Sequence, residues 1–411
     1  MWKWTDGDDV QGIILDVDSL NDDYISFDYH KEVPNAKILK VINDHFVFDA
    51  EYNNQKDCIG YNDITSLLIY IMKEFNLESF SLIAISNNNQ FIKEMIKNHI
   101  GTIFIGELQE KVFKYTPDFT NQTFDKLSNI LKQNNVGYVA EVFASGDVRK
   151  RKSLIRSKKK IILSNGEEKQ IKLFLGGRYY PIGREFYVDD PLSALIRNFK
   201  QKHISIIDEY FDCVIDFVNH EDTIDILAYS PLKPKDFEER KFDRFASLKL
   251  PLAHKKGIKL QNILECTKNF SQKGNDLYNR REVVKGAYKL LIDVKDKHVV
   301  IIDDVYSSGS TMEEIATKIY EKGARQVTEI LIAVNQTIES TSLIYKHPRC
   351  KNCGGELRLR LNKRDNSIFF GCVNYQDGKI HPTLSCKEGL HQIKLINKFE
   401  QIDNVDLKDA Y

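Results

Sequence analysis

The sequence predicts two parallel-sheet α/β domains followed by a small β module, on three observations. Short apolar runs alternate with helix-period segments twice, over residues 11 to about 135 and again over 190–345. A strongly basic stretch with an Asn165-Gly166 turn signal separates the two alternations. Four of the seven cysteines crowd into Cys350–Cys386, and Cys58, Cys213 and Cys266 are scattered. That spacing suits one metal site and three lone thiols better than a disulfide framework.

The elements follow in order. In the first alternation GIILDV, FSLIAIS and GTIFIG read as buried strands. ITSLLIYIMKEF, FIKEMIKN and FDKLSNILKQ read as helices. GYVAEVFAS and IILSN are strand-like and flank RKRKSLIRSKKK, which has eight basic residues in twelve. In the second alternation PLSALIRNFKQ, RFASLKL and MEEIATKIYEKG read as helices, and DILAYS, HVVIIDDV and QVTEILIAV as strands. The expected division is 1–145, a basic hairpin or linker at 146–171, 172–345, and a cysteine module with a polar tail at 346–411. Hydrophobic residues make up 42% of the 411, charged residues 29%, and the formal net charge is zero. Bulk charge therefore excludes a general polyanion binder, and any such role must come from a local patch. MWKWTDGDD turns acidic at once and lacks the apolar core of a signal peptide. No apolar run approaches the roughly 20 residues that span a bilayer, so no membrane is expected and the cytoplasm is.

VVIIDDVYSSGSTM (299–312) carries the sharpest chemistry. An apolar strand, a loop of small residues and a following helix hold phosphate with backbone N–H groups, hydroxyls and the positive helix end. No Gly-Lys-Ser/Thr or triple-glycine pattern is present, so this is neither a Walker loop nor a dinucleotide fingerprint. Two acids at a strand end face the crevice where open α/β sheets bind ligands. They suit sugar hydroxyls or a Mg²⁺.

The stretch resembles the phosphoribosyl-pyrophosphate loop of type I phosphoribosyltransferases. YSPLKPKDFEERKFDRFASL and SQKGNDLYNRREVVKGAY resemble the pyrophosphate loop and a later segment of the ComF-like branch, with Val283 and Tyr288 as departures. The resemblance covers roughly 172–337. It implies that Asp303 and Asp304 hold ribose hydroxyls and that Ser307, Ser308, Gly309, Ser310 and Thr311 cradle the 5′-phosphate. Ser230 to Lys235 would form the pyrophosphate loop, with Lys233 and Lys235 as its cations, and Arg280 or Arg281 would sit in a closing segment. It further implies Mg²⁺ on the pyrophosphate and substitution at ribose C1.

ILDVDSL places Asp16 and Asp18 just after a strand and resembles the first motif of haloacid-dehalogenase-like phosphatases, which use such a pair with Mg²⁺. That family's later acidic motif would fall at Ala84–Gln90, where Ser86, Asn87 and Asn88 stand instead. Three readings stay open: an active phosphatase, a degenerate domain kept for binding or scaffolding, or a different α/β domain with two surface acids.

CKNC, a hairpin and two further cysteines are zinc-ribbon arithmetic: Cys350, Cys353, Cys372 and Cys386 as structural zinc ligands, with His381 able to replace Cys386. CGGELRLR and FFGCVNY resemble the C-terminal ribbons of type I DNA topoisomerases. Arg358, Arg360, Lys363 and Arg364 with Phe369, Phe370 and Tyr375 offer charge and stacking faces. The ribbon and the basic run suggest single-stranded DNA or RNA as a partner. Two functions are thus expected. One is a phosphoribosyltransferase of unseen acceptor, in one version a nucleic-acid-regulated toxin or antiphage effector with a partner protein encoded beside it. The other is an inactive nucleic-acid-binding adaptor that senses a nucleotide or phosphoribosyl pyrophosphate.

Overall fold

The computed structural model describes residues 5, 10–45, 47, 50–53, 57–121, 125–131, 136–146, 151–181, 190–240, 243–270, 277–336, 343–346, 349–355, 357–361, 368–375, 380–385 and 394–397. The N-terminal unit is a seven-stranded sheet in the order Glu51–Asn53, Cys58–Tyr61, Lys37–Asn43, Gly12–Asp16, Leu82–Ser86, Gly101–Ile105, Phe119–Asn121. Every pair is parallel except the outermost, Glu51–Asn53 with Cys58–Tyr61. Gly12–Asp16, Leu82–Ser86 and Gly101–Ile105 are buried along their whole length. This is why they read as unbroken apolar runs rather than alternating ones. Helices Ile64–Phe75 and Asn89–Lys97 start on the side chains of Asp63 and Asn88, which accept from Ser66 N and from Gln90 N and Phe91 N. Lys37–Asn43 escaped the sequence reading because it alternates buried and half-exposed residues with two lysines among them.

The second sheet runs Ile155–Ile162, Glu168–Leu175, Gln326–Asn335, His298–Tyr306, Ile226–Tyr229, Leu260–Gln261, with Arg178–Tyr179 extending the edge of Gln326–Asn335. The basic stretch is a hairpin, but it is no linker. Arg151–Ser153 pairs parallel with Val136–Tyr138, and Ile155–Ile162 pairs antiparallel with Glu168–Leu175, which in turn pairs parallel with Gln326–Asn335. Alternation along Ile155–Ile162 puts Ile155, Ser157, Lys159 and Ile161 inward and Lys158, Lys160 and Ile162 outward. Two element assignments change. GYVAEVFAS is a short strand, Val136–Tyr138, followed by helix Val139–Ser145, because a short apolar run fits either period. RFASLKL is a turn. Leu250, in the left-handed region at φ 42°, leads into Pro251, which opens the short helix Pro251–Lys255. Helix Ser205–Glu221, which the sequence reading passed over, covers the sheet with Ile207, Phe211, Val214 and Val218.

The two units share a core. Phe104, Leu108, Val112 and Phe113 of the first pack in one cluster with Leu173, Ile301, Tyr306 and Leu331 of the second. Beside it Arg178 is 3% exposed and donates to Asp118 (2.7 Å) and to both carboxylate oxygens of Glu141 (2.8 and 3.0 Å). Gln336 bridges Thr116 N and the carbonyl of Phe113. No helix among the described residues is long and apolar enough to cross a membrane.

Candidate active site

Strand Ile226–Tyr229 has Leu260–Gln261 on one side and His298–Tyr306 on the other. The chain thus leaves the carboxyl ends of its two central strands in opposite directions, which opens a crevice. A cavity of about 300 Å³ lies there, lined by Ser230, Lys233, Arg244, Tyr288, Asp303 and Asp304 among others. The strand does not end on the two acids. Val305 and Tyr306 still pair with Ala333 and Val334, because the partner strand is ten residues long. The bare loop is therefore only Ser307–Gly309, and Ser310 and Thr311 open helix Ser310–Glu321. Gly309 caps that helix at φ 70°, a conformation that favours glycine, and Ser308 Oγ lies 3.0 Å from Ser310 Oγ. Of these five residues only Thr311 lines the cavity wall.

Two cations that sequence reasoning did not single out lie on the acids. Arg244 Nη2 is 2.9 Å from Asp304 Oδ2 and 3.7 Å from Asp303 Oδ1, and Lys200 Nζ is 3.4 Å from Asp304 Oδ2. Burial and the neighbouring Asp304 push Asp303 up to about 6. Burial would raise Asp304 as well, but Arg244 and then Lys200 hold it below the usual carboxylate range. These two cations hold Asp304 Oδ2 in ion pairs, while Arg244 Nε is buried without a hydrogen-bond partner among the described residues. A buried guanidinium N–H of this kind is costly to leave unpaired and can donate to a sugar or phosphate oxygen. The only signal for Arg244 was its place after the Pro-containing loop, and Lys200 gave none.

Lys233 Nζ donates to the carbonyl of Phe270 (2.7 Å) and lies over that ring. Lys235 belongs to helix Pro234–Arg240, its backbone held by Asn269 Oδ1, and does not line the cavity. Arg281 is 3.2 Å from Glu313. The side chain of Arg280 lies outside the described residues.

At the other sheet Asp16 ends the central strand, buried, and accepts from Ser86 Oγ at 2.5 Å. Burial raises its pKa against the Ser86 and Ser19 hydrogen bonds, and Asp18 raises it further. Asp18 is exposed and accepts from Asn43 N. Ser86 stands where a further acidic ligand would be needed, so this donor set fits a catalytic Mg²⁺ poorly.

Cys350, Cys353, Cys372 and His381 converge with their ligand atoms within 4.8 Å of one another. Sulfur–sulfur and sulfur–nitrogen separations of 3.4 to 3.5 Å are close to the ~3.7 Å between ligands of a tetrahedral zinc with ~2.3 Å bonds. Gly355 N and Asn374 N point at Cys353 and Cys372, as a second shell would. The donors fit a structural zinc, and the hairpin Leu357–Leu361/Ile368–Cys372 packs on them. Cys386, Lys363 and Arg364, and the side chains of Arg358 and Arg360, lie outside the described residues.

Residues 254–350, which carry the two acids and the loop, match the family described as phosphoribosyl transferase domain. The match contains Asp303, Asp304 and the loop but begins after Ser230–Lys235. Among individual proteins, the chain is 32% identical over 105 residues to the DNA utilization protein YhgH of Salmonella typhi, covering 25% of this chain and 46% of that one. It is 44% identical over 48 residues to the protein of the same name from Escherichia coli O157:H7, covering 12% and 21%. The chain spans less than half the length of the curated relatives it matches. The structure of Leishmania donovani UMP synthase aligns with 74% of this chain and 61% of that one at 11% identity, but a TM-score of 0.20 carries no structural argument.

Proposed function

We propose that the chain transfers a phosphoribosyl group from phosphoribosyl pyrophosphate to an acceptor. The observation that supports it most is the polar crevice where Asp303 and Asp304 face Lys233, Arg244 and Lys200 beside a phosphate-type loop. In this reading the Ser310–Glu321 helix N-terminus and the loop N–H groups hold the 5′-phosphate. Asp303 and Asp304 accept from the ribose hydroxyls, and Lys233 with the Ser230 loop holds the pyrophosphate. Arg244 and Lys200, released from the acids, stay near the leaving group. The C1–O bond to pyrophosphate breaks with its electron pair leaving on pyrophosphate. The acceptor forms the new bond to C1 and loses its proton to solvent. Mg²⁺, bound with the pyrophosphate, would supply charge neutralisation to the leaving group. The residues' share is orientation and fixed charge around an oxocarbenium-like centre.

The acceptor is open. The zinc module and the relatives' name, DNA utilization protein, favour a nucleic acid as acceptor or regulator, and an antiphage effector is one form this could take. The basic run favours it less. Lys159 is buried, Arg156 pairs with Glu221 and lies over Phe217, and Lys160 pairs with Glu168. The adaptor reading draws its support from Arg244 and Lys200 occupying the acids. Calorimetric titration of phosphoribosyl pyrophosphate with Mg²⁺ decides between binding and none. Pyrophosphate release upon adding nucleosides, tRNA or single-stranded DNA decides between enzyme and sensor. No binding by the wild type would sink both readings.

A further inference from the structure

The phosphate loop rests on a residue from the other unit. Glu110, in the 3₁₀ helix Glu110–Tyr115 of the N-terminal unit, accepts from the Tyr306 hydroxyl and from Lys159 Nζ (2.7 Å). Lys159 is 4% exposed; it also reaches the Tyr306 hydroxyl at 3.2 Å and Glu313 at 3.2 Å, in the first turn of the helix behind the loop. Phe113, from the same 3₁₀ helix, packs edge-on against the Tyr306 ring. The cluster lies directly against Gly309. A side chain there would collide with the Tyr306 hydroxyl and stand 2.8 Å from Lys159 Nζ. One further acid, Glu329, is 1% exposed with neither carboxylate oxygen hydrogen-bonded among the described residues. Burial and the surrounding acids hold its pKa well above the usual range, which keeps Lys159 from facing three full charges.

We propose that Glu110 is a positioning residue for the phosphate loop, acting through Tyr306 and Lys159, so that the order of the loop depends on the seating of the N-terminal unit. Tyr306 closes the strand that carries Asp303, and its ring lies under the left-handed turn at Gly309. With Glu110 in place the hydroxyl is fixed from the far side. Without it Tyr306 and Lys159 lose their common acceptor, and Glu313 is the remaining acid paired with Lys159, beside the Tyr306 hydroxyl. That would pull on the first turn of the loop's own helix. The consequence for ligands rests on the phosphoribosyl reading above, and the consequence for loop order does not.

The test is amide hydrogen exchange over 307–312 in the ligand-free chain, comparing wild type with Tyr306→Phe, Glu110→Gln and a control, Gln336→Ala. The control loosens the same junction at Thr116 and at the Phe113 backbone, and leaves the Glu110–Tyr306–Lys159 hydrogen bonds intact. Tyr306→Phe and Glu110→Gln are expected to speed exchange there roughly tenfold, the worth of a hydrogen bond to a charged group. Gln336→Ala is expected to leave it unchanged. A second arm titrates ribose 5-phosphate and inorganic pyrophosphate. Tyr306→Phe should weaken the first about tenfold and leave the second alone, whereas general structural damage would move both. Unchanged exchange in both loop variants, or equal loosening by Gln336→Ala, overturns the proposal. So does loosening with unaltered ribose 5-phosphate affinity. A wild type that binds neither probe removes the phosphoribosyl reading, and exchange alone then decides the role of Glu110.

Discussion

Two mostly parallel sheets in this chain place an aspartate at or near the carboxyl end of a central strand, and only one of the two gathers further charged groups around it. Asp16 meets a serine hydroxyl and sits beside an exposed Asp18. Asp303 lies beside a second buried acid, Asp304, which pairs with Arg244 and Lys200, and all four line a cavity. Topology put both acids at switch points. The neighbours, Ser86 in one unit and Arg244 with Lys200 in the other, decide what each can do. A strand-end acid is therefore a location for chemistry, and the charge set around it is the chemistry.

The contrast can be broken or sharpened by experiment. The largest effect is expected at the third module. Pure protein should carry one zinc per chain, and chelation should expose the amides around 350–385 while both sheets stay protected. Structural zinc contributes on the order of 10 kcal/mol in small modules. Next, Arg178→Met leaves Asp118 and Glu141 buried without their cation and should cost about 3–5 kcal/mol in denaturant unfolding. Burial would raise Glu141, but Arg178 holds it below its ordinary value. Its stabilisation is thus present above the ordinary carboxylate range and lost as pH falls through the lower folded value. Junction stability should drop as pH falls through that lowered value in wild type and much less in the variant. Third, Asp303→Asn with Asp304→Asn should weaken phosphoribosyl pyrophosphate at least 100-fold, taking about 1.5–3 kcal/mol for each charge-assisted hydrogen bond. Asp16→Asn should leave that affinity within twofold, and an equal loss there would erase the distinction between the two sheets. Last, Asp303 is raised to about 6 in the free protein, so it gains a proton as pH falls past that value. Affinity should decline by up to about tenfold per pH unit below 6, and the Asp303→Asn variant should show a flat profile.

The sequence made much of this legible. Strands buried on both faces, such as Leu82–Ser86 and His298–Tyr306, announce themselves as unbroken apolar runs. The helix-period segments 64–75 and 310–321 were equally plain. Lys37–Asn43 was hidden because its polar half faces outward, and Val139–Ser145 because seven residues do not distinguish the two periods. At the site, Asp303, Asp304 and the small-residue loop were local in sequence and therefore visible. Arg244 and Lys200 reach the acids from about 60 and 100 residues away, a convergence that only folding produces. Glu110 is farther still, and from another unit. The three cysteines were legible by spacing, and His381 as an alternative ligand because it lies between Cys372 and Cys386.

The strand Ile155–Ile162 is the last in its sheet, with nothing paired to its outer side among the described residues. An open edge of this kind invites a second copy to add a strand and begin a stack. Here the outward positions carry Lys158 and Lys160, and bringing two such edges together would set like charges a few ångströms apart. Ile162, 74% exposed at the strand's end, shows how little apolar cover the edge would otherwise need to become adhesive. Much of what reads in sequence as a polyanion-binding patch thus lies on an unpaired sheet edge, where its charges oppose the addition of a second such strand.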